Sequence, residues 1–506
     1  MQSTTFQETL PAGFFGELNE AKEEVTVSGG RWTGNSWVEW SSDNYLYKFY
    51  YNEWSENGTI YQTLIVSTGT KEEGITLKEW SGGESLRYGR EYAWTFNGDS
   101  FSLYTGESSY YYITGNISVA GETNTSIENI EFNYKNGAEV GSDSLTSVGA
   151  VVNKAYNLSM TNVRSSGATV LGKTFVGGLV GYMNGRAIWN CYNFNDVQIN
   201  RPSSNECAAG GLVGHAESVN FGYYESNKNG NYGNINISGS GYAGGVIGNS
   251  VNCRINYAYN IGNVSSNTFA GGLIGYYSMA YAGANNETLC SHLYNYGIVT
   301  SGNCAGGVIG YGYFWNDANE DLQHLFNFGT VKADAGDNSN IDIFAGGIVG
   351  AIKVVSTNTI SIKYSGNEGS VSGIGKRWVG VGGIVGAHIY SFDEVGGSAD
   401  TAKNGGSVLN CYNSGNLLCA NLNNVDGYVG GIAGGNVAKI ENCSMTGKIT
   451  IRDDETFGWI MGSAWGGATI NNCYAEPSTV VVEEKGTEAK MLIICQVIHL
   501  IQKDSI

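Results

Sequence analysis

The sequence predicts an all-β fold: a parallel β-solenoid, right-handed by the rule for parallel crossovers, preceded by a small antiparallel β-domain. Three observations carry that expectation. The 506-residue chain holds 75 Gly against 3 Pro, with 33 Tyr and only 14% charged residues, which favours short strands and tight turns over helices. A six-residue motif recurs at a near-constant spacing. Residues 1–108 lack that motif and alternate apolar with polar residues instead.

The motif reads VGGLVG from Val176, AGGLVG from Ala209, AGGVIG from Ala243, AGGLIG from Ala270 and AGGVIG from Ala305. It continues as AGGIVG from Ala345, VGGIVG from Val381, VGGIAG from Val429 and a worn FGWIMG from Phe457. The mean interval is about 35 residues, within the range where self-similarity marks stacked supersecondary units.

A second element follows the hexamer, as in INYAYNIGNV from Ile255, CSHLYNYGIV from Cys290, LQHLFNFGTV from Leu322 and VLNCYNSGNL from Val408. An apolar strand runs into Asn-x-Gly, expected to supply turn positions with φ > 0, and a new strand starts at Val264, Val299, Val331 or Leu417. Each unit therefore makes about three short strands. Alone it cannot bury its apolar face; stacked in register, with strands roughly 4.8 Å apart, it can. Glycine is costly inside a strand unless the backbone bends or another backbone approaches closely, and the pair Gly271 and Gly272 is expected to mark such a place.

Residues 1–108 contain six of the 11 Trp (Trp32, Trp37, Trp40, Trp54, Trp80 and Trp94), and YLYKFYYNEW and TIYQTLIVST alternate as antiparallel strands with one wet face. The expected layout is a Trp/Tyr-rich β-domain at 1–108, the solenoid at 109–478 and an irregular tail at 479–506. The tail's apolar run MLIICQVIHLI falls well short of the roughly 20 residues that span a bilayer, so no transmembrane segment is expected. The opening MQSTTFQETL shows no secretory signal.

Taken with their Asn-rich companions, the hexamers resemble GLUG repeats, and the resemblance runs over residues 148–474. It implies a bacterial protein that is secreted or displayed at the cell surface, engaged in adhesion or matrix contact, with a β-solenoid stalk beside other modules. It implies no catalytic residue. Some relatives carry a metallopeptidase domain, but none of His215, His292, His324, His388 and His499 lies in an H-E-x-x-H zinc motif.

A net charge of -19 argues against nucleic acid or an anionic membrane surface as partner, since both demand clustered Lys and Arg. The stretch GATVLGKT at 167–174 matches a phosphate-binding loop letter for letter. Such a loop must open a helix, however, and this one runs into a repeat strand. Cys191, Cys411, Cys443 and Cys473 share a repeat position with Ala155, Ala258, Leu293 and Leu325, as expected of thiols packed in a core ladder. Cys207, Cys253, Cys290, Cys304, Cys419 and Cys495 carry no assignment. Acidic insertions at 315–323, 334–342 and 391–400 are expected to be solvated loops. Tyr192, Tyr259, Tyr294, Phe326 and Tyr412 form one column by position: facing out it would hold sugars or a protein, facing in it would be packing.

No catalytic, cofactor-binding or metal-binding residue is assigned, and no cofactor is expected. The function expected is that of a non-enzymatic, extracellular bacterial surface protein of adhesin or stalk type, contacting a host or matrix glycan or protein. The alternatives are a polysaccharide-degrading β-helix lyase or glycoside hydrolase, which requires converging carboxylates, and a phage or envelope fibre.

Overall fold

The computed structural model describes residues 125–476, except 203–205, 280–289, 315–319, 337–340, 355–359, 389–405, 423–426, 436, 453–454 and 464–467. It also describes backbone strands between residues 2 and 120, and the strands Val480–Val482 and Lys490–Met491. The chain forms two compact units, Met1–Asn19 with Asn124–Ile506, and Glu20–Thr123.

Each repeat of the larger unit is one layer of a parallel stack. The layer opening at Phe269 has four described strands: Phe269–Gly271, Ile274–Met279, Cys290–Asn295 and Val299–Ser301. Each pairs in parallel with its counterpart in the layers before and after. Ala270 lies between Ala243 and Ala305, and Ile274 between Ile247 and Ile309. Leu293 likewise lies between Ala258 and Leu325, and Val299 between Val264 and Val331. Four strands per layer replace the expected three because the hexamer makes two, one on each side of its glycine pair. The first strands form a sheet of their own; the other positions join in a second, continuous parallel sheet.

The register places like residues above one another, and the inward positions carry the aliphatics. Ile274, Leu293 and Val299 are fully buried, each contributing roughly 1.5 to 3 kcal/mol. The glycine pair is explained by what faces it. A Cβ on Gly245 would lie 2.0 Å from the Gly272 carbonyl oxygen of the next layer and 2.3 Å from Asn260 Cγ; on Gly244 it would lie 1.9 Å from the Ile247 carbonyl oxygen. No side chain fits either place.

The asparagine of Asn-x-Gly does something other than turn the chain. Asn193, Asn231, Asn260, Asn295, Asn327, Asn367 and Asn413 form a buried column along the stack. Each Nδ2 donates to the Oδ1 of the next asparagine at 2.7 to 2.9 Å, and a second hydrogen goes to the carbonyl two residues on, as from Asn260 to Gly262 and from Asn295 to Gly297. The column ends where Asn413 Nδ2 meets Met445 Sδ at 2.9 Å. The positive φ angles belong instead to the residue three before a column position, as at Asn190 before Asn193, Asn410 before Asn413 and Asn442 before Met445; Lys228, three before Asn231, is extended instead, with φ of -64°.

Two N-terminal strands belong to this stack. Gln2–Phe6 pairs in parallel with residues 130–134, and Phe15–Leu18 pairs with Val152, Lys154 and Ala155. The smaller unit lies between them and residue 124 in sequence, so the motif-free stretch 1–108 contributes to both units. Its described strands are antiparallel: Lys22–Trp32 pairs with Trp37–Glu39 and Tyr111–Ala120, and Leu46–Glu56 with Thr59–Gly69. The side chains of its six tryptophans lie outside the described residues.

Candidate ligand-contact face

The third strand of a layer alternates inward and outward residues, and its outward positions are rich in rings. The first outward column sits at the left-handed backbone position, where Asn is the non-glycine residue best tolerated. Asn190, Asn410, Asn442 and Asn472 occupy it in the outer layers, with φ of 50 to 56°. In four successive layers it is taken by Tyr257, His292, His324 and Tyr364, with φ of 50 to 56°. Their rings stack at centroid distances of 4.5, 4.6 and 5.5 Å.

The second column contains the five residues aligned from the sequence, but pairing inserts two glycines: Tyr192, Gly230, Tyr259, Tyr294, Phe326, Gly366 and Tyr412. Both glycines make room for a leaning tyrosine. A Cβ on Gly230 would lie 2.5 Å from Tyr259 Cζ, and one on Gly366 would lie 2.2 Å from Tyr412 Cε1. The Tyr259 and Tyr232 hydroxyls are 2.7 Å apart, and Tyr412 donates to Glu368 Oε1 at 2.9 Å. A third column holds Tyr296 stacked on Phe328 at 5.0 Å, both exposed, with Ile261 exposed in the layer before.

Because Tyr259 leans away, the ladder is broken. Its ring contacts are with Tyr192 and Tyr232, whereas Tyr294 stacks on Phe326 at 5.6 Å. Between Tyr259 and Tyr294 opens a pocket of about 500 Å³. Tyr257, His292 and Tyr296 line it further, and Glu225 and Lys228 close one side from the preceding layer. That side is a short 3₁₀ turn, Glu225–Asn227, held by the Asn227 side chain, whose Oδ1 accepts from the Tyr223 and Tyr224 amides. Burial, reinforced by the neighbouring His324, lowers the His292 pKa and keeps the imidazole neutral near pH 7. Burial also raises the Tyr294 phenol, with Glu225 adding to the shift. The pocket thus offers neutral rings and hydroxyls in its interior and one charge of each sign at its side.

The remaining candidates fall elsewhere. In GATVLGKT, residues 167–171 belong to the strand Val152–Leu171. The Lys173 and Thr174 amides are spent on the Leu145 and Thr146 carbonyls, so the stretch forms no phosphate cradle. Among the described residues Cys191, Cys253, Cys304, Cys411, Cys419, Cys443 and Cys473 are free thiols, all buried except the half-buried Cys473, and Cys207 and Cys290 are buried as well. Ala155 is not in the cysteine column: it pairs with Met183 on the second strand, and pairing of Arg164 with Tyr192 puts Val163 beside Cys191. The long strand 152–171 has no break to mark the layer's corners, which is why spacing misaligned it. His215 stacks on Tyr182 at 5.2 Å, away from His292 and His324. The side chain of His388, all of His499 and Cys495, and the acidic insertion at 391–400 lie outside the described residues, as do parts of the insertions at 315–323 and 334–342. Among the described residues no group of three metal-ligating side chains is present, and no helix is long and apolar enough to cross a membrane.

The family model of the GLUG motif matches residues 426–450, so the chain carries that motif. The match begins one residue before the strand Gly427–Gly430 and ends within Ile449–Ile451, close to one layer of the stack. No curated protein matches the chain, and no solved structure does.

Proposed function

We propose that this chain is an extracellular bacterial surface protein in which a right-handed β-solenoid serves as adhesin or stalk, presenting a contact face to a host or matrix glycan or protein. The GLUG motif is found in extracellular bacterial proteins, which supports the location. The observation that carries the contact role is the break in the outward aromatic ladder between Tyr259 and Tyr294. Exposed rings packed only against each other would be a way of covering the sheet; a ladder interrupted by a pocket with Glu225 and Lys228 at its side favours a ligand. The Glu20–Thr123 unit is proposed as a separately folded module carried by the solenoid, and residues beyond 478 as its terminal segment.

The test is to incubate the full chain with soluble polysaccharides and follow polymer size and bound polymer in one sizing run. Retention without shortening supports a contact protein. Shortening of any polymer replaces this reading with the polysaccharide-degrading one.

A further inference from the structure

We propose that the pocket between Tyr259 and Tyr294 binds one neutral pyranose residue of a glycan; this rests on the contact reading above and names its ligand class.

The geometry fits a ring-sized guest. In the layers that follow, the second outward column is filled by Tyr294 stacked on Phe326; one layer earlier the equivalent ring has leaned over Gly230 and left its place empty. A flat guest entering there takes the position a stacked ring would occupy, against the Tyr294 face that Phe326 does not cover. The negative ring face attracts the polarised C–H bonds of a pyranose. Around that floor stand groups suited to sugar hydroxyls: the Tyr257 and Tyr296 hydroxyls, the His292 imidazole, the Lys228 ammonium as donor and the Glu225 carboxylate as acceptor.

Two further features point the same way. The same layers place Tyr257 and His292 in left-handed backbone that asparagine occupies elsewhere in the stack, and strain of that kind gathers at functional sites. The loop bearing Glu225 and Lys228 is an insertion of this one layer, between Asn220–Phe221 and Asn229–Asn231, and it is anchored by Asn190 N donating to Asn227 O at 3.0 Å. A chain of net charge -19 with one cation and one anion beside the pocket selects neutral over polyanionic glycans.

The experiment titrates the full chain with cellohexaose, mannohexaose, chitohexaose and, as the anionic comparison, hexagalacturonate, by calorimetry. At least one neutral hexasaccharide should bind, and hexagalacturonate should bind more weakly. Tyr294→Ala removes the floor and should weaken binding by about 10- to 100-fold, the effect of truncating a central aromatic anchor. Gly230→Ala works from the other side: its new methyl displaces Tyr259 into the vacancy and should weaken binding similarly while the thermal unfolding of the stack is unchanged. Tyr474→Ala, at an exposed ring remote in the stack, should have no effect. Binding that survives both pocket variants overturns this site but leaves a contact protein standing. Absence of binding by every neutral probe, or preference for the anionic one, overturns the neutral-pyranose assignment, whatever the sizing run shows for polymer retention.

Discussion

Replacing Asn295 by Ala removes one rung from the internal asparagine column. Asn295 is fully buried and makes four hydrogen bonds through its side chain. Nδ2 donates to Asn327 Oδ1 and to the Gly297 carbonyl, each at 2.8 Å; Oδ1 accepts from Asn260 Nδ2 at 2.9 Å and from the Gly297 amide at 3.2 Å. At about 1 kcal/mol for each bond lost, with buried partners left unpaired on both sides, the substitution should cost about 3 to 5 kcal/mol. Repeat arrays open segment by segment, so the informative assay is hydrogen exchange of the peptides spanning residues 290–301, alongside the urea midpoint. The expected change is an exchange rate raised by roughly two to three orders of magnitude at 297 and its neighbours. Asn263→Ala is the control: its exposed side chain accepts one bond from the Ile298 amide at 3.0 Å, worth about 0.5 to 1 kcal/mol. If Asn295→Ala accelerates exchange no more than Asn263→Ala, the column contributes nothing beyond ordinary surface bonds.

Three other outcomes follow from the same geometry. Gly272→Ala would put a methyl 2.0 Å from the Gly307 carbonyl oxygen and 2.4 Å from Asn295 Cγ, so it should destabilise by about 3 kcal/mol or more. Gly435→Ala, whose nearest neighbour would be 3.6 Å away, should be close to neutral in the same melts. Burial lowers the His215 pKa from 6.5 to about 4, so the folded state favours the neutral ring and stability should fall as pH drops from about 6.5 toward 4. His215→Asn, the residue at Asn249 in the next layer, should flatten that part of the pH–stability curve; an unchanged slope would exclude His215 as its source. The Cys191 thiol is pushed up to about 12 and the Cys253 thiol to about 11, chiefly by burial, so both should resist iodoacetamide at pH 8 in the native chain and react in urea; native alkylation would contradict that packing.

Much of the layer was legible in the sequence because its constraints are written in letters that few residues satisfy. The pair Gly244 and Gly245 recurs since backbone and Asn260 leave no room for a Cβ, and a spacing search finds it. In the sequence the same asparagines look like turn formers, since both a turn and a buried column produce Asn-x-Gly; only the register shows Asn260 facing Asn295. The contact face was half legible. Tyr259, Tyr294 and Phe326 align by spacing, but Gly230 and Gly366 sit in layers whose companion element has lost its aromatic, so the leaning of Tyr259 and the resulting pocket were invisible. Glu225 and Lys228 could not be found by repeat alignment because they lie in an insertion of one layer. Gln2–Phe6 and Phe15–Leu18 carry no hexamer, and their place in the stack comes from long-range parallel pairing that no local pattern encodes.

Stacking of one repeat per layer, on which both the asparagine column and the contact face depend, is tested most directly by pulsed-EPR distances between genetically encoded spin labels. One label would stand at Asn236, the other at Lys332, Ser372 or Leu418, which register places three, four and five layers away. The distance should grow by about 4.8 Å per layer along this series, indifferent to the 40 and 46 residues that separate successive labels. Increments that instead follow the length of chain between labels, or that vanish, would contradict the stack.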